Sequence, residues 1–186
     1  WYLIDDAPYT HPADAMFNFV PAEVYNQTPS QPADFTAVPV NDTDLKVRLS
    51  WTNPTATLDG TALEAIEQVV VLRDNKVIAT LTDVVPGATL EFEDVAVPRF
   101  DVFHYAVYVV ANGRVGKHAN AMKVLVGPSC TWRIIMTTTN LQGWEGGTIT
   151  AYSATGREIT SMTVNTYTTS QVEPELPLGS VCFGTS

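Results

Sequence analysis

Between Leu45 and Trp51 the chain alternates strictly, setting Leu45, Val47, Leu49 and Trp51 against Lys46, Arg48 and Ser50. A two-residue period puts the first set on one face of an extended strand and the second on the other. Similar short runs recur at Phe35-Thr36-Ala37-Val38, Ile66 to Leu72, Val77 to Leu81, Thr89 to Phe92, His104 to Ala111 and Ala121 to Val126. Asn53-Pro54, Asp59-Gly60, Pro86-Gly87 and Asn112-Gly113 punctuate them as turns. In Arg73-Asp74-Asn75-Lys76 the central pair tolerates positive φ, which suits a tight hairpin. Short strands divided by turns predict an all-β fold, a two-sheet antiparallel sandwich. The one helical competitor is Ala62 to Gln68, where Leu63 and Ile66 are spaced for a single turn.

Composition divides the chain into three segments. Residues 1–32 carry five of the twelve prolines, at Pro8, Pro12, Pro21, Pro29 and Pro32. Proline removes a ladder donor and restrains the residue before it, so an irregular arm is expected, with Trp1-Tyr2-Leu3-Ile4 as a strand. Residues 33–128 hold the sandwich pattern. In residues 129–186 threonine becomes abundant and charge rare. Trp132 to Met136, Thr148 to Tyr152, Glu158 to Val164 and Gly179 to Phe183 read as strands of a second, small antiparallel β-sandwich. Gly143-Trp144-Glu145-Gly146-Gly147 and Thr155-Gly156-Arg157 separate them. Gly127-Pro128-Ser129 is so short a join that the two regions are expected to share an interface.

The 186 residues suit one large domain or two small ones, and with 45% apolar and 16% charged residues the chain can build a core. Acidic residues outnumber basic ones 20 to 10, for a charge of −10, and the Lys and Arg are scattered from Lys46 to Arg157 without a basic run. That distribution excludes sequence-independent nucleic-acid binding, which needs clustered cations. No apolar run approaches the roughly 18–20 residues of a membrane span. The chain opens at Trp1 with no charged-then-apolar leader, so any targeting signal is expected upstream or already removed.

Catalytic patterns are sparse. His11, His104 and His118 lie far apart, and no Gly-x-Ser-x-Gly elbow accompanies them. Asp101-x-x-His104 offers two ligands where zinc takes about three or four protein ligands. Asp5-Asp6 reads as solvated or capping carboxylates, and Glu91, Glu93 and Asp94 as the wet face of a strand. Gly143 to Gly147 lacks the Lys-Ser/Thr ending of a phosphate loop. No cofactor or metal is expected. Trp144, flanked by glycines, either lies against a sugar ring or anchors a protein partner, or folds back as a plug over its own core. With Glu145 and Tyr152 it makes the candidate ligand-binding set. Trp51 and Tyr105 are expected in the core.

Leu49-Ser50-Trp51 with Asn53-Pro54, then Val71-Leu72-Arg73-Asp74, then Tyr105-x-Val107-x-Val109-x-Ala111-Asn112 with Gly116, together resemble a fibronectin type III domain. The resemblance implies that Trp51 fills the centre and that the Tyr105 hydroxyl returns to the backbone as a tyrosine corner. Asp59 to Ala65 is a longer link than the minimal pattern. Cys130, Trp132, Met136, Gly143, Trp144, Gly146 and Gly147 resemble a small β-sandwich module of secreted or surface proteins of Bacteroidetes, whose loop reads Gly-Asp-Gly-Trp-Asn-Gly-Gly. Here Thr139, Asn140, Leu141 and Gln142 replace its acidic positions. Calcium takes about six to eight oxygens, so Glu145 alone does not make a calcium site. Trp1 to Asp6 is similar to the closing strand of a jelly-roll module, which implies that the arm ends an upstream domain.

Cys130 and Cys182 read as two buried thiols in a cytosolic protein and as a pair in an exported one. Cys130 opens the first expected strand of the last region and Cys182 lies in its last, so a disulfide between those strands is expected. The resemblances imply non-catalytic accessory modules of a larger secreted or cell-surface protein, serving adhesion or ligand binding. Their partners would be an extracellular glycan or protein and other domains of the parent chain. Two alternatives stand beside this: a hydrolase, peptidase or glycan-degrading, with a site assembled between modules around His104 or His118, and a purely structural spacer.

Overall fold

The computed structural model describes residues 2–4, 18–20, 27–138, 143–164, 169–178 and 181–185, and every regular element among them is a β-strand. Strand β1 (Tyr2–Ile4) pairs antiparallel with β2 (Asn18–Val20), so the proline-rich arm contains a short ladder. Seven main strands follow: β3 (Ala33–Pro39), β4 (Val47–Thr52), β5 (Gln68–Arg73), β6 (Lys76–Leu81), β7 (Thr89–Asp94), β8 (Asp101–Ala111) and, after the short β9 (Arg114–Val115), β10 (Ala119–Val126). One sheet runs β3-β4-β7 and the other β10-β8-β5-β6, with all pairs antiparallel. Three strands facing four in this order make a fibronectin type III-like, immunoglobulin-like sandwich.

The alternation of β4 does what its period requires. Val47, Leu49 and Trp51 are fully buried, facing Val69 and Val71 of β5 and Tyr105, Val107 and Val109 of β8 in one core. The Trp51 indole N–H donates to Asn53 Oδ1 at 3.0 Å, and the Asn53 amide donates to the Val85 carbonyl at 2.9 Å. The buried polar atoms are thereby satisfied. Between β5 and β6, Asp74 and Asn75 take φ of 49° and 61°, the two left-handed positions of a tight hairpin turn. Ala62 to Gln68 forms no helical turn. The Leu63 amide donates to the Thr55 carbonyl and the Glu67 amide to the Val110 carbonyl, so its bonds go to neighbouring segments.

Two details depart from expectation. Asp94 is not on the wet face of β7: Leu90, Phe92 and Asp94 share the inward parity, and Asp94 is 3% exposed. The Tyr105 hydroxyl donates to Asp94 Oδ2 at 2.9 Å, where the tyrosine-corner analogy places a backbone acceptor. Arg73 Nη1 closes the group, 2.5 Å from Asp94 Oδ2 and 3.0 Å from the Ala96 carbonyl. Burial first, and then the neighbouring Asp94 carboxylate, push the Tyr105 phenol far above its ordinary value.

The remaining strands are β11 (Ser129–Thr131), β12 (Ile134–Thr137), β13 (Ile149–Tyr152), β14 (Glu158–Met162), β15 (Thr169–Val172), β16 (Glu175–Pro177) and β17 (Cys182–Thr185). Pairs β11–β16 and β12–β15 run in succession, joined where the Trp132 amide donates to the Pro174 carbonyl, and β14-β13-β17 forms a three-stranded sheet. Met136, Ala151, Met162, Val164 and Leu176 form their common core. The expected disulfide does not form. Cys130 lies opposite Leu176 on β11–β16 and Cys182 opposite Tyr152 on β17–β13, so the two belong to different sheets, and both are exposed free thiols. The error lies in pairing the first strand with the last: β16, whose Glu-Leu-Pro carries no strand pattern, is the partner β11 takes.

Two outcomes follow from this packing. Trp51→Ala is expected to lower stability by about 3–5 kcal/mol in urea unfolding, the usual loss on emptying a large aromatic site. Ellman titration of the native, unreduced protein is expected to find both thiols reactive, since thiol reactivity requires exposure.

Candidate functional site

The loop from Gly143 to Gly147 leads into β13. Gly143, Glu145 and Gly146 take φ of 77°, 52° and 92°, a left-handed sequence that curls the backbone tightly and that the two glycines, unlike Glu145, enter without strain. The Trp144 amide donates to the Val164 carbonyl at 2.9 Å, and the Gly147 amide to the Trp144 carbonyl at 2.8 Å. The Thr163 hydroxyl donates to the Gly147 carbonyl at 2.7 Å. These bonds seat Trp144 half-buried against the second core, while Glu145 is exposed. Tyr152 lies at the other end of β13, between Glu158 and Cys182, with its ring against Gly184. From Ile149 to Tyr152 the strand advances about 10 Å. The structure therefore brings Trp144 and Glu145 together and sets Tyr152 apart from them.

The histidines do not converge on a nucleophile. His104 Nε2 contacts Asn120 Oδ1 at 3.1 Å, and the His118 ring stacks on Tyr108 with centroids 4.5 Å apart. Asp101 and His104 turn to different partners, and among the described residues no group of three or more His, Cys, Asp or Glu is placed to hold a metal. Trp1, Asp5, Asp6 and His11, with Thr139, Asn140, Leu141 and Gln142, lie outside the described residues.

A dense electrostatic cluster among the described residues is one the sequence does not announce. Arg157, in the turn before β14, reaches across to the sandwich: Nη1 lies 2.7 Å from Asp74 Oδ2 and donates to the Val102 carbonyl at 2.8 Å, and Nε is 3.7 Å from Asp101 Oδ2. Asp101, whose side chain is fully buried, also accepts from Arg99 Nε at 2.9 Å, from the Val102 amide at 2.8 Å and from the Thr155 hydroxyl. Three guanidinium carbons, of Arg157, Arg99 and Arg73, lie 5.3, 5.9 and 6.0 Å from the centroid of the Phe103 ring, within cation–π range. Burial pushes the Asp101 carboxyl upward. Hydrogen bonds from Thr155, Ser153, the Val102 amide and Arg99 outweigh it and hold the group below its ordinary value. At the join itself Gly127 takes φ of 119° and a Cβ there would meet the Phe100 ring at 2.7 Å, so only glycine fits. Lys123–Glu158, at 2.7 Å, is an exposed companion of little weight.

No protein-family model matches the chain, and no curated protein sequence matches it. Among solved structures it is similar to the chicken CNTN1 FN1-FN3 domains, at 12% identity and a TM-score of 0.34, covering 80% of this chain. The chain spans 58% of that chain's length. The strand order of residues 33–126 is by itself that of a fibronectin type III-like sandwich.

The junction generates a testable consequence. The native chain is expected to show one NMR rotational correlation time, and Arg157→Ala to give the two halves separate ones. Because the folded Asp101 carboxyl is more acidic than the unfolded one, its contribution is complete above the ordinary value of 3.8 and is lost as pH falls through the folded value. A pH series of the same measurement is therefore expected to stay flat through neutrality and change only in acid.

Proposed function

We propose that the chain comprises an N-terminal arm, residues 1–32, a fibronectin type III-like module, residues 33–128, and a small β-module, residues 129–186. In this reading both modules are non-catalytic accessory parts of a larger secreted or cell-surface protein, of the kind the sequence resemblances place in Bacteroidetes. The sandwich holds the small module at a set angle, and the Trp144–Glu145 loop contacts an extracellular glycan or protein. The observation that carries this is the Arg157–Asp101–Asp74 junction. A module that presents a binding loop gains from a rigid mount, because a fixed geometry spares the ordering cost on binding. The glycine-framed indole supports the choice of loop, since aromatic anchors dominate such contacts.

The test is binding of the whole chain to immobilised glycans and matrix proteins. Glu145→Ala, which leaves the plug intact, and Trp144→Ala, checked for folding, are the variants. A partner is expected whose affinity falls by about 2 kcal/mol, roughly thirtyfold, on removal of the indole. Binding untouched by either variant would move the site elsewhere. Absence of any binding would leave a spacer, for which the same rigid junction is equally suited.

A further inference from the structure

The sandwich carries a groove of about 370 Å³ between the beginnings of β3 and β10, away from the Trp144 loop. Its walls include Gln31, Asp34, Phe35, His118 and Asn120. The groove has an identifiable origin. From Ala33 to Thr36, β3 advances three residues while its partner β4 advances two, from Thr52 to Ser50, so Asp34-Phe35 forms a bulge. Asp34 accordingly takes φ of 53°, a left-handed conformation that Asp tolerates better than most residues. Bulges bend a strand and re-aim its side chains, and they are frequent beside binding sites. Here the bulge falls where β3 runs alongside the start of β10.

Two of the lining groups are held by other residues. The His118 ring is stacked on Tyr108, with 8° between the planes. The Asn120 carbonyl oxygen is engaged by His104 Nε2 at 3.1 Å and its amide nitrogen contacts the His118 carbonyl at 3.4 Å, which fixes the amide plane. Asp34 and Gln31, which also line the groove, are exposed. A carboxylate offers acceptors only, whereas each amide offers donors and an acceptor. That combination matches adjacent hydroxyl groups, which donate and accept at once. Phe35 packs against the core and Tyr108 covers one face of the His118 ring, so a sugar ring here would be held mainly through its hydroxyls. The volume sits at the small end of ligand clefts, about 300–1,000 Å³, enough for one or two such rings. A carboxylate in the groove of a chain with net charge −10 disfavours an anionic ligand.

We propose that this groove is a subsite for a neutral saccharide unit, with Asp34 and Asn120 engaging neighbouring hydroxyls. The inference stands independently of the Trp144 loop. It is tested by titrating the isotopically labelled chain with the methyl glycosides of glucose, galactose, mannose, fucose and N-acetylglucosamine, and with methyl glucuronide as the anionic control. At least one neutral glycoside is expected to shift the amides of residues 31–35 and 118–120 saturably, with a Kd of about 1–10 mM. Asn120→Ala, and Asp34→Asn, which keeps the backbone conformation, are each expected to weaken it about tenfold while the Trp51 indole resonance stays in place. Three results would overturn the proposal: no shift with any neutral glycoside up to roughly 100 mM, shifts confined to residues 143–152, or glucuronide binding as tightly as the neutral sugars. Shifts confined to residues 143–152 would at the same time support the Trp144 loop.

Discussion

A carboxylate taken out of water has to be paired, and Asp94 is the one on which the sandwich turns. It lies at the end of β7 in one sheet, and its partners Arg73 and Tyr105 belong to β5 and β8 of the other. The group therefore ties the two sheets together at one end of the core, by charge-assisted bonds in a place where either partner alone would be costly to bury. Arg73 then extends the connection, because its guanidinium also lies over Phe103.

Phe103 links that internal group to the junction. The same ring is approached by Arg99 and Arg157, and those two share the Asp101 carboxylate. Each of the three like charges around this ring is paired with a carboxylate, Arg73 with Asp94, Arg99 with Asp101 and Arg157 with Asp74, which offsets their mutual repulsion. The short Gly127-Pro128-Ser129 join supplies proximity, and the Arg157 network supplies orientation.

Much of the sandwich was legible because its signals are local. The alternation through Trp51, the Asp74-Asn75 turn and the Tyr105-Val107-Val109 run each act within a few residues, and the structure shows the strands, the turn and the buried faces they imply. The parity of β7 was legible too, yet reading Asp94 with Glu91 and Glu93 as one acidic face ignored that it shares a side with Leu90 and Phe92. In the last region the signal thins. Thr169-Ser170-Gln171-Val172 and Glu175-Leu176-Pro177 have little hydrophobic pattern, because a strand in so small a unit buries few side chains. Missing them left Cys130 and Cys182 as the obvious pair.

Within the sandwich, sequence alone thus determined which segments are extended, where they turn and which residues fill the core, all properties of dihedral preference and two-residue periodicity. Tertiary structure alone decided who meets whom across long separations. Arg157 finds Asp74 and Asp101 from 83 and 56 residues away, as the numbering shows; β11 takes β16 as its partner; and the bulge at Asp34 opens beside His118. Such meetings depend on how sheets stack and on which buried charge needs a partner, and a chain read in order carries no periodic trace of either.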